Sequence, residues 1–456
     1  MTTTTTRFRA LGDALRGGLI MPGDDGYDHA RELFYGGMDR RPAAVARVAD
    51  AADVARAVTF ARETETPLSV RGGGHSGAGH SVIDDALTID LADLRSLEID
   101  AGERVAWAHA GLTAGEYTLA AAEHGLATAF GDSGSVGIGG ITLGGGVGFL
   151  ARPYGLTIDS LIAAEVVTAD GEVRHVDDEQ HPDLFWAIRG GGGNFGVVTR
   201  LLLRLHDVGT LMGGLLFLPA TPETITAFVA EAQAAPDELT TIANVMPAPP
   251  MPFLPEEFHG SLVIFAMLTC VGDLEAGERA IAPFRSIAPP IADMVRPMSY
   301  PEMYMPEEEG YHPIGVVRSL FVDSLGLAEA GTIVEHLEAS TAMMRVAQIR
   351  VLGGAVSAVA NDSTAYAHRD RAIMVNTAAL YEQAEDEAVH QAWVRGFASA
   401  LAGDDLRAYV NFLVDEGPER VRQAYPGATW DRLRSIKARY DPTNLFRHNQ
   451  NIPPAA

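Results

Sequence analysis

The chain of 456 residues holds 34 Lys and Arg against 60 Asp and Glu, a formal net charge of −26, with 47% hydrophobic and 21% charged residues. That length exceeds what one compact core absorbs, so two domains are expected, and the acidity argues against nucleic acid or an anionic membrane as partner. The single cysteine, Cys270, excludes an intramolecular disulfide and any multi-cysteine metal or iron–sulfur site.

Met1, five threonines and Arg7-Phe8-Arg9 lack the apolar core and cleavage site of a signal peptide. No stretch approaches the roughly 18 apolar residues of a membrane span, so a cytoplasmic location is expected. Residues 44–91 read as strand, helix, strand: a short strand at Val45 and Val48, a helix opened by Asp53 with Val54, Ala57, Val58 and Ala61 on one face, and strands at Leu68–Val70 and Leu87–Leu91. Thr113-Ala114-Gly115-Glu116 is a capping box, with Gly125 as the stop. Residues 165–174 form a hairpin on the Asp170-Gly171 turn. Val197–Leu205 is a long apolar strand. After about residue 206 the glycine clusters end. Strands such as 261–269 then alternate with helical stretches such as 381–401, and Cys270 closes an apolar run as a small buried hydrophobe. From Tyr409 the chain returns to strand, helix and an Asn/Gln-rich tail.

Glycine is concentrated at three places. Residues 71–79 hold five, 131–148 hold nine and 190–196 hold five, so 19 of the 48 glycines fall within 34 residues. The first cluster, Arg71-Gly72-Gly73-Gly74-His75-Ser76-Gly77-Ala78-Gly79, follows an apolar strand. Bare backbone N–H groups of this kind suit a phosphate or pyrophosphate, with His75 held against the ligand. Three such loops imply one extended, phosphate-bearing ligand. Gly191-x-Gly193-x-x-Gly196 matches a dinucleotide fingerprint, but a strand follows it where a helix is required, so the scaffold is not of the Rossmann kind. Gly74-His75-Ser76-Gly77-Ala78 resembles a nucleophile elbow and leaves a serine hydrolase using Ser76 as an alternative, although no helix is expected after it. Scattered histidines, with His75 and His80 in one loop, do not form a metal site.

Four separated stretches then identify a resemblance. Arg71–Ser76, Gly140–Gly148, Pro182–Thr199 and the C-terminal pair Tyr409–Phe412 and Arg439–Ile452 resemble the FAD-linked oxidases of the berberine bridge enzyme and 6-hydroxynicotine oxidase group. The resemblance implies an α+β fold: a vanillyl-alcohol-oxidase-type FAD-binding domain with an inserted α+β substrate domain, an antiparallel sheet with helices. The expected division is 1–206 and 407–456 for the FAD domain and 207–406 for the insert. The cofactor set it implies comprises Arg71, Gly72, Gly73, Gly74, His75, Ser76, Gly79, Gly131, Ser133, Gly134, Ser135, Gly137, Gly140, Gly144, Val197, Asn449 and Asn451. At His75 the family bonds the flavin covalently through the 8α-methyl group. A second link, made by some members through cysteine, is precluded by serine at Ser133, so a single tether is expected.

The activity implied is oxidation of a small organic substrate at a C–H next to oxygen or nitrogen, with O₂ as acceptor. Tyr409, in the Y-x-N motif, is the expected base. A tyrosine with an ordinary pKa of about 10 needs a nearby cation or donor for that task, and Arg407, His368 and Arg369 are the candidates. Tyr300, Tyr304, Tyr311 and His312 are candidates for a substrate pocket.

Overall fold

The structure, a computed structural model, describes residues 2–307, 310–403 and 407–456. Its N-terminal part is a four-stranded sheet in the order Gly18–Ile20, Ala44–Arg47, Leu87–Asp90, Leu68–Arg71. The last three strands run parallel, as expected when the helix Ala51–Thr64 crosses over between them. Val54, Ala57, Val58 and Ala61 bury one face of that helix against Ala44, Ala46, Leu68, Leu87 and Ile89. Asp53 does not open the helix. Asp50 caps it by accepting the Asp53 N–H at 2.9 Å, and the Asp53 carboxylate is buried, accepting backbone N–H groups of Arg16, Gly17 and Ala49. The first Asp of the pair wins the cap because only its side chain reaches back over the free first turn.

A second, antiparallel sheet of five strands follows, in the order Leu97–Asp100, Val105–His109, Val197–Arg204, Leu161–Val167, Val173–Val176. It contains the expected hairpin, turned at Gly171 with φ +85°. Thr113 and Glu116 form the expected reciprocal cap. Part of the second glycine cluster is not loop: Ile138–Gly144 is a short helix.

The chain from Thr210 to Tyr381 builds a large antiparallel sheet whose core order is Thr210–Pro219, Leu262–Cys270, Leu239–Pro247, Met344–Val351, Ile373–Tyr381, Ile314–Val322. The helices Pro222–Ala234, Leu274–Ser286, Leu327–Ala339 and Glu387–Ala402 bury apolar stripes on one face through Phe228, Phe284, Ile333 and Phe397. Cys270 is buried, and that burial raises its thiol to about 11, which leaves it unreactive. The opposite face carries a row of register partners, Ser319, Asn376, Gln348 and Asn244, turned toward the glycine-rich half. The boundary expected at residue 406 lies outside the described residues.

The strand expected at Tyr409 is absent. Val410–Phe412 is a single 3₁₀ turn, because the Tyr409 N–H donates to Ser319 Oγ (3.0 Å) and the Phe412 N–H folds back onto the Tyr409 carbonyl (3.0 Å). The tail is held by a fully buried ion pair. Lys437 Nζ on the helix Ala428–Tyr440 contacts Asp441 Oδ2 at 2.7 Å and donates to the carbonyls of Asn194 and Phe446, while Asp441 accepts the N–H groups of Leu445 and Phe446. Every partner is satisfied, and removing one would strand a buried charge at a cost of about 3–5 kcal/mol. This clasp fixes residues 446–450 beside the loop at Gly192–Asn194.

Candidate active site

The strand Leu68–Arg71 delivers the chain into a helix-free loop from Gly72 to Ala86. Gly73 and Gly137 pass back to back, and a Cβ on either would overlap the backbone nitrogen of the other. Around this crossing lies a cavity of about 450 Å³. Of the residues expected at the cofactor, Gly72, Gly73, Gly74, His75, Ser76, Gly131, Ser133, Gly137, Gly140, Val197 and Asn449 line it. Arg71 does not; its guanidinium pairs with the buried Asp90, and together with Ser135 it lines a smaller neighbouring hollow. Gly79, Gly134, Gly144 and Asn451 are also off the wall. At Gly79 and Gly144 the need for glycine comes from packing instead: a Cβ at Gly79 would strike Met38 Sδ and one at Gly144 would overlap the Asn411 side chain, whereas a Cβ at Gly134 would make only ordinary contact with Tyr304.

His75 stacks on Phe34 with ring centroids 4.1 Å apart and planes inclined by 18°. Its Nε2 contacts Ser135 Oγ at 2.9 Å. Burial lowers the imidazole to about 4, against the opposing pull of Glu307, so the ring is neutral at pH 7 and retains a lone pair for bonding. With Nε2 engaged, Nδ1 is the nitrogen left for that bond. Ser133, which contacts Ser135 Oγ at 3.1 Å and Glu307 Oε1 at 2.6 Å, has no sulfur with which to make a second link.

Tyr409 is buried on the far side of the cavity between the rings of Tyr366 and Phe412, both edge-on. Its hydroxyl accepts the Gly146 N–H at 2.8 Å and the Asn411 Nδ2–H at 2.9 Å. Burial pushes the hydroxyl up to about 12, although both donors and the charge of Arg350 favour the phenolate. The cation near Tyr409 is therefore Arg350 and not Arg407, His368 or Arg369. Arg350 is buried, ion-paired to Asp132 at 2.6 Å, and donates to the carbonyl of Val147, next to the very peptide that binds Tyr409. Arg369 is committed to Asp159 at 2.6 Å, Arg407 lies 4.0 Å from Asp370, and His368 bonds the Ala424 carbonyl with its imidazole lowered to about 4 by burial. None of these three lines the cavity, nor do Tyr300, Tyr304, Tyr311 or His312. Tyr300 is buried and Tyr304 half-buried, their hydroxyls 3.4 Å apart, and His312 contacts the Leu33 carbonyl.

The cavity also takes in residues that were not expected to line it: Phe34, Tyr35, His80, Val317, Asn376, Asn411 and His448. Two signals were available. Phe34-Tyr35 is an aromatic pair set before Gly36-Gly37, and Asn376 interrupts the apolar run Ile373–Tyr381 at a buried position.

The lining fits FAD. His448 Nε2 and Asn449 Oδ1 are buried on the wall and have no hydrogen-bond partner within the protein. Buried polar atoms are rarely left unpaired, so an elongated ligand with donors and acceptors along its length is the partner they require. The glycine crossing leaves main chain exposed at the centre, while Leu68, Val70, Val198 and Phe446 supply an apolar slot. The hydrolase alternative finds no support, because Ser76 sits in a loop with no helix behind it.

Comparison with known proteins agrees. Residues 42–177 match the FAD binding domain family, and residues 408–453 match the family described as berberine and berberine like. (R)-6-hydroxynicotine oxidase of Paenarthrobacter nicotinovorans is 29% identical over 463 residues, covering 97% of each chain. The crystal structure of 6-hydroxy-D-nicotine oxidase from Arthrobacter nicotinovorans has a TM-score of 0.86 at 27% identity, covering 97% of this chain and 98% of that one. Glucooligosaccharide oxidase from Acremonium strictum, described as carrying a 6-S-cysteinyl, 8α-N1-histidyl FAD, shares the fold with a TM-score of 0.86 at 23% identity, covering 99% of this chain and 100% of that one. The chain is an FAD-linked oxidoreductase that carries an FAD binding domain and a berberine-like C-terminal segment and is similar along almost its whole length to 6-hydroxynicotine oxidases.

Proposed function

We propose that the protein is an oxidase of small organic molecules whose FAD is bonded to His75 through a single link. The observation that carries this reading is His75 itself: a neutral imidazole, stacked on Phe34 and held by Ser135 at Nε2, at the centre of the glycine crossing. Bound FAD supplies the two-electron acceptor, taking hydride from a C–H next to oxygen or nitrogen and passing the electrons to O₂ with release of H₂O₂.

The chain's own residues supply position and the proton path. Gly72–Gly74, Gly131 and Gly137 offer backbone to the diphosphate. Asn449 and His448 satisfy polar atoms of the cofactor, and Phe34 fixes the plane of the imidazole. Tyr409 receives the proton from the substrate O–H or N–H. The N–H of Gly146, the Asn411 amide and Arg350 stabilise the phenolate that this requires, and Asp132 keeps the net charge of the pair low. A screen of alcohols, saccharides and cyclic amines for H₂O₂ release tests the reading. At least one substrate should bleach the flavin without air and yield peroxide with air. Bleaching by none of them would contradict it.

A further inference from the structure

His75, Ser135, Ser133 and Glu307 are joined by three consecutive contacts of 2.9, 3.1 and 2.6 Å. A carboxylate accepts hydrogen bonds and donates none, and a serine hydroxyl has one proton to give. Ser133 therefore donates to Glu307. It has nothing left for Ser135, so Ser135 donates to Ser133. Ser135 in turn receives its proton from His75. Only one arrangement puts a proton in all three contacts, and it places a hydrogen on Nε2 of His75 and a lone pair on Nδ1. The chain begins inside the cavity and ends on an exposed carboxylate.

We infer that Ser135, Ser133 and Glu307 form a proton exit that promotes the bonding of His75 to FAD. This rests on the tether proposed above. In that step Nδ1 bonds the 8α-carbon, and one methyl C–H and the Nε2–H of His75 are broken. The two electrons of the C–H bond enter the flavin ring system and leave to O₂. The two protons released match the two that O₂ takes up as H₂O₂. Bonding at Nδ1 while Nε2 keeps its hydrogen would make the imidazole a cation inside a wall that desolvates it. Passing the Nε2 proton to Ser135, from Ser135 to Ser133 and from Ser133 to Glu307 keeps the ring neutral throughout. Serine at position 133 thus does two things: it forgoes a second link and it completes the path that makes the first.

The test uses full-length protein isolated soon after induction, when part of its flavin is still released by acid. It is incubated with excess FAD in air, and acid-stable flavin fluorescence of the precipitated protein is followed. E307Q, an exposed and isosteric change, should lower the limiting rate at saturating FAD tenfold or more and leave the half-saturating FAD concentration unchanged. S135A should do the same by cutting the first link, and E307A should recover speed when formate is added. Equal limiting rates in the wild type, E307Q and S135A would overturn the inference and leave the tether standing. A change confined to the half-saturating concentration would also overturn it, because Glu307 would then act on binding alone. Wild-type protein that never acquires acid-stable flavin would overturn tether and relay together.

Discussion

One wall of the cavity is main chain and the other is side chain. On the first, Gly72–Gly74, Gly131 and Gly137 line the cavity with bare main chain, and Gly73 and Gly137 come so close that no Cβ fits between them. On the second, Val317 and Asn376 of the large sheet stand with Tyr409, Asn411 and Phe412 of the C-terminal turn. A wall of backbone has its shape set by sterics and cannot be altered piecemeal. A wall of side chains on a sheet can exchange residues while the ladder of hydrogen bonds behind it stays intact. The first wall suits an invariant cofactor and the second an individual substrate.

The steepest test of this contrast is Gly73→Ala. Its Cβ would be driven into the backbone of Gly137, so the protein should lose its flavin altogether and about 3 kcal/mol of stability. Both are read from the absorbance and the denaturant midpoint of the purified variant. Tyr409→Phe, on the other wall, should keep flavin and stability but reduce kcat by about 10²–10⁴-fold. Because burial holds the Tyr409 hydroxyl near 12, its base form increases with pH. Wild-type kcat should therefore climb from neutral into alkaline pH, and the phenylalanine variant should show no such rise.

Behind the second wall, His368 packs on Phe321 and Tyr366 with its Nδ1 unpartnered. Its folded pKa of about 4 lies below the ordinary 6.5. A histidine shifted downward adds stability above pH 6.5 and loses it as pH falls from 6.5 toward 4. Between pH 7 and 5 this one group should cost about 2 kcal/mol, and His368→Gln, which can still donate to the Ala424 carbonyl, should reduce the acid sensitivity seen in urea titrations by that amount. The smallest effect belongs to Asn376→Ala. It should raise KM up to about tenfold, the worth of one hydrogen bond, with flavin content and melting temperature unchanged. Loss of flavin from this variant would break the contrast between the walls.

The backbone wall was legible in the sequence because steric exclusion writes glycine directly into the chain: Gly73, Gly74, Gly131 and Gly137 needed no structure to be found. The same rule over-reached at Gly79 and Gly144, where the excluded neighbours are Met38 and Asn411 and not a ligand. The side-chain wall was mostly illegible. Arg350 and Asn376 are polar residues within mostly apolar strands, and only register and burial reveal which face they take. Tyr409 came through a family motif, while its local structure was misread. The strand that its neighbours suggested gives way to a turn held by Ser319, ninety residues earlier in the chain. The Lys437–Asp441 clasp was likewise beyond local reading, because its meaning depends on the carbonyls of Asn194 and Phe446.

The most direct measurement is the mass of the tryptic peptide Gly72–Arg95 from coloured, freshly purified protein. The account predicts this peptide heavier by one FAD, with fragmentation placing the addition on His75 and none on the peptide that contains Ser133. An unmodified Gly72–Arg95 peptide from protein that retains its full yellow colour would contradict it.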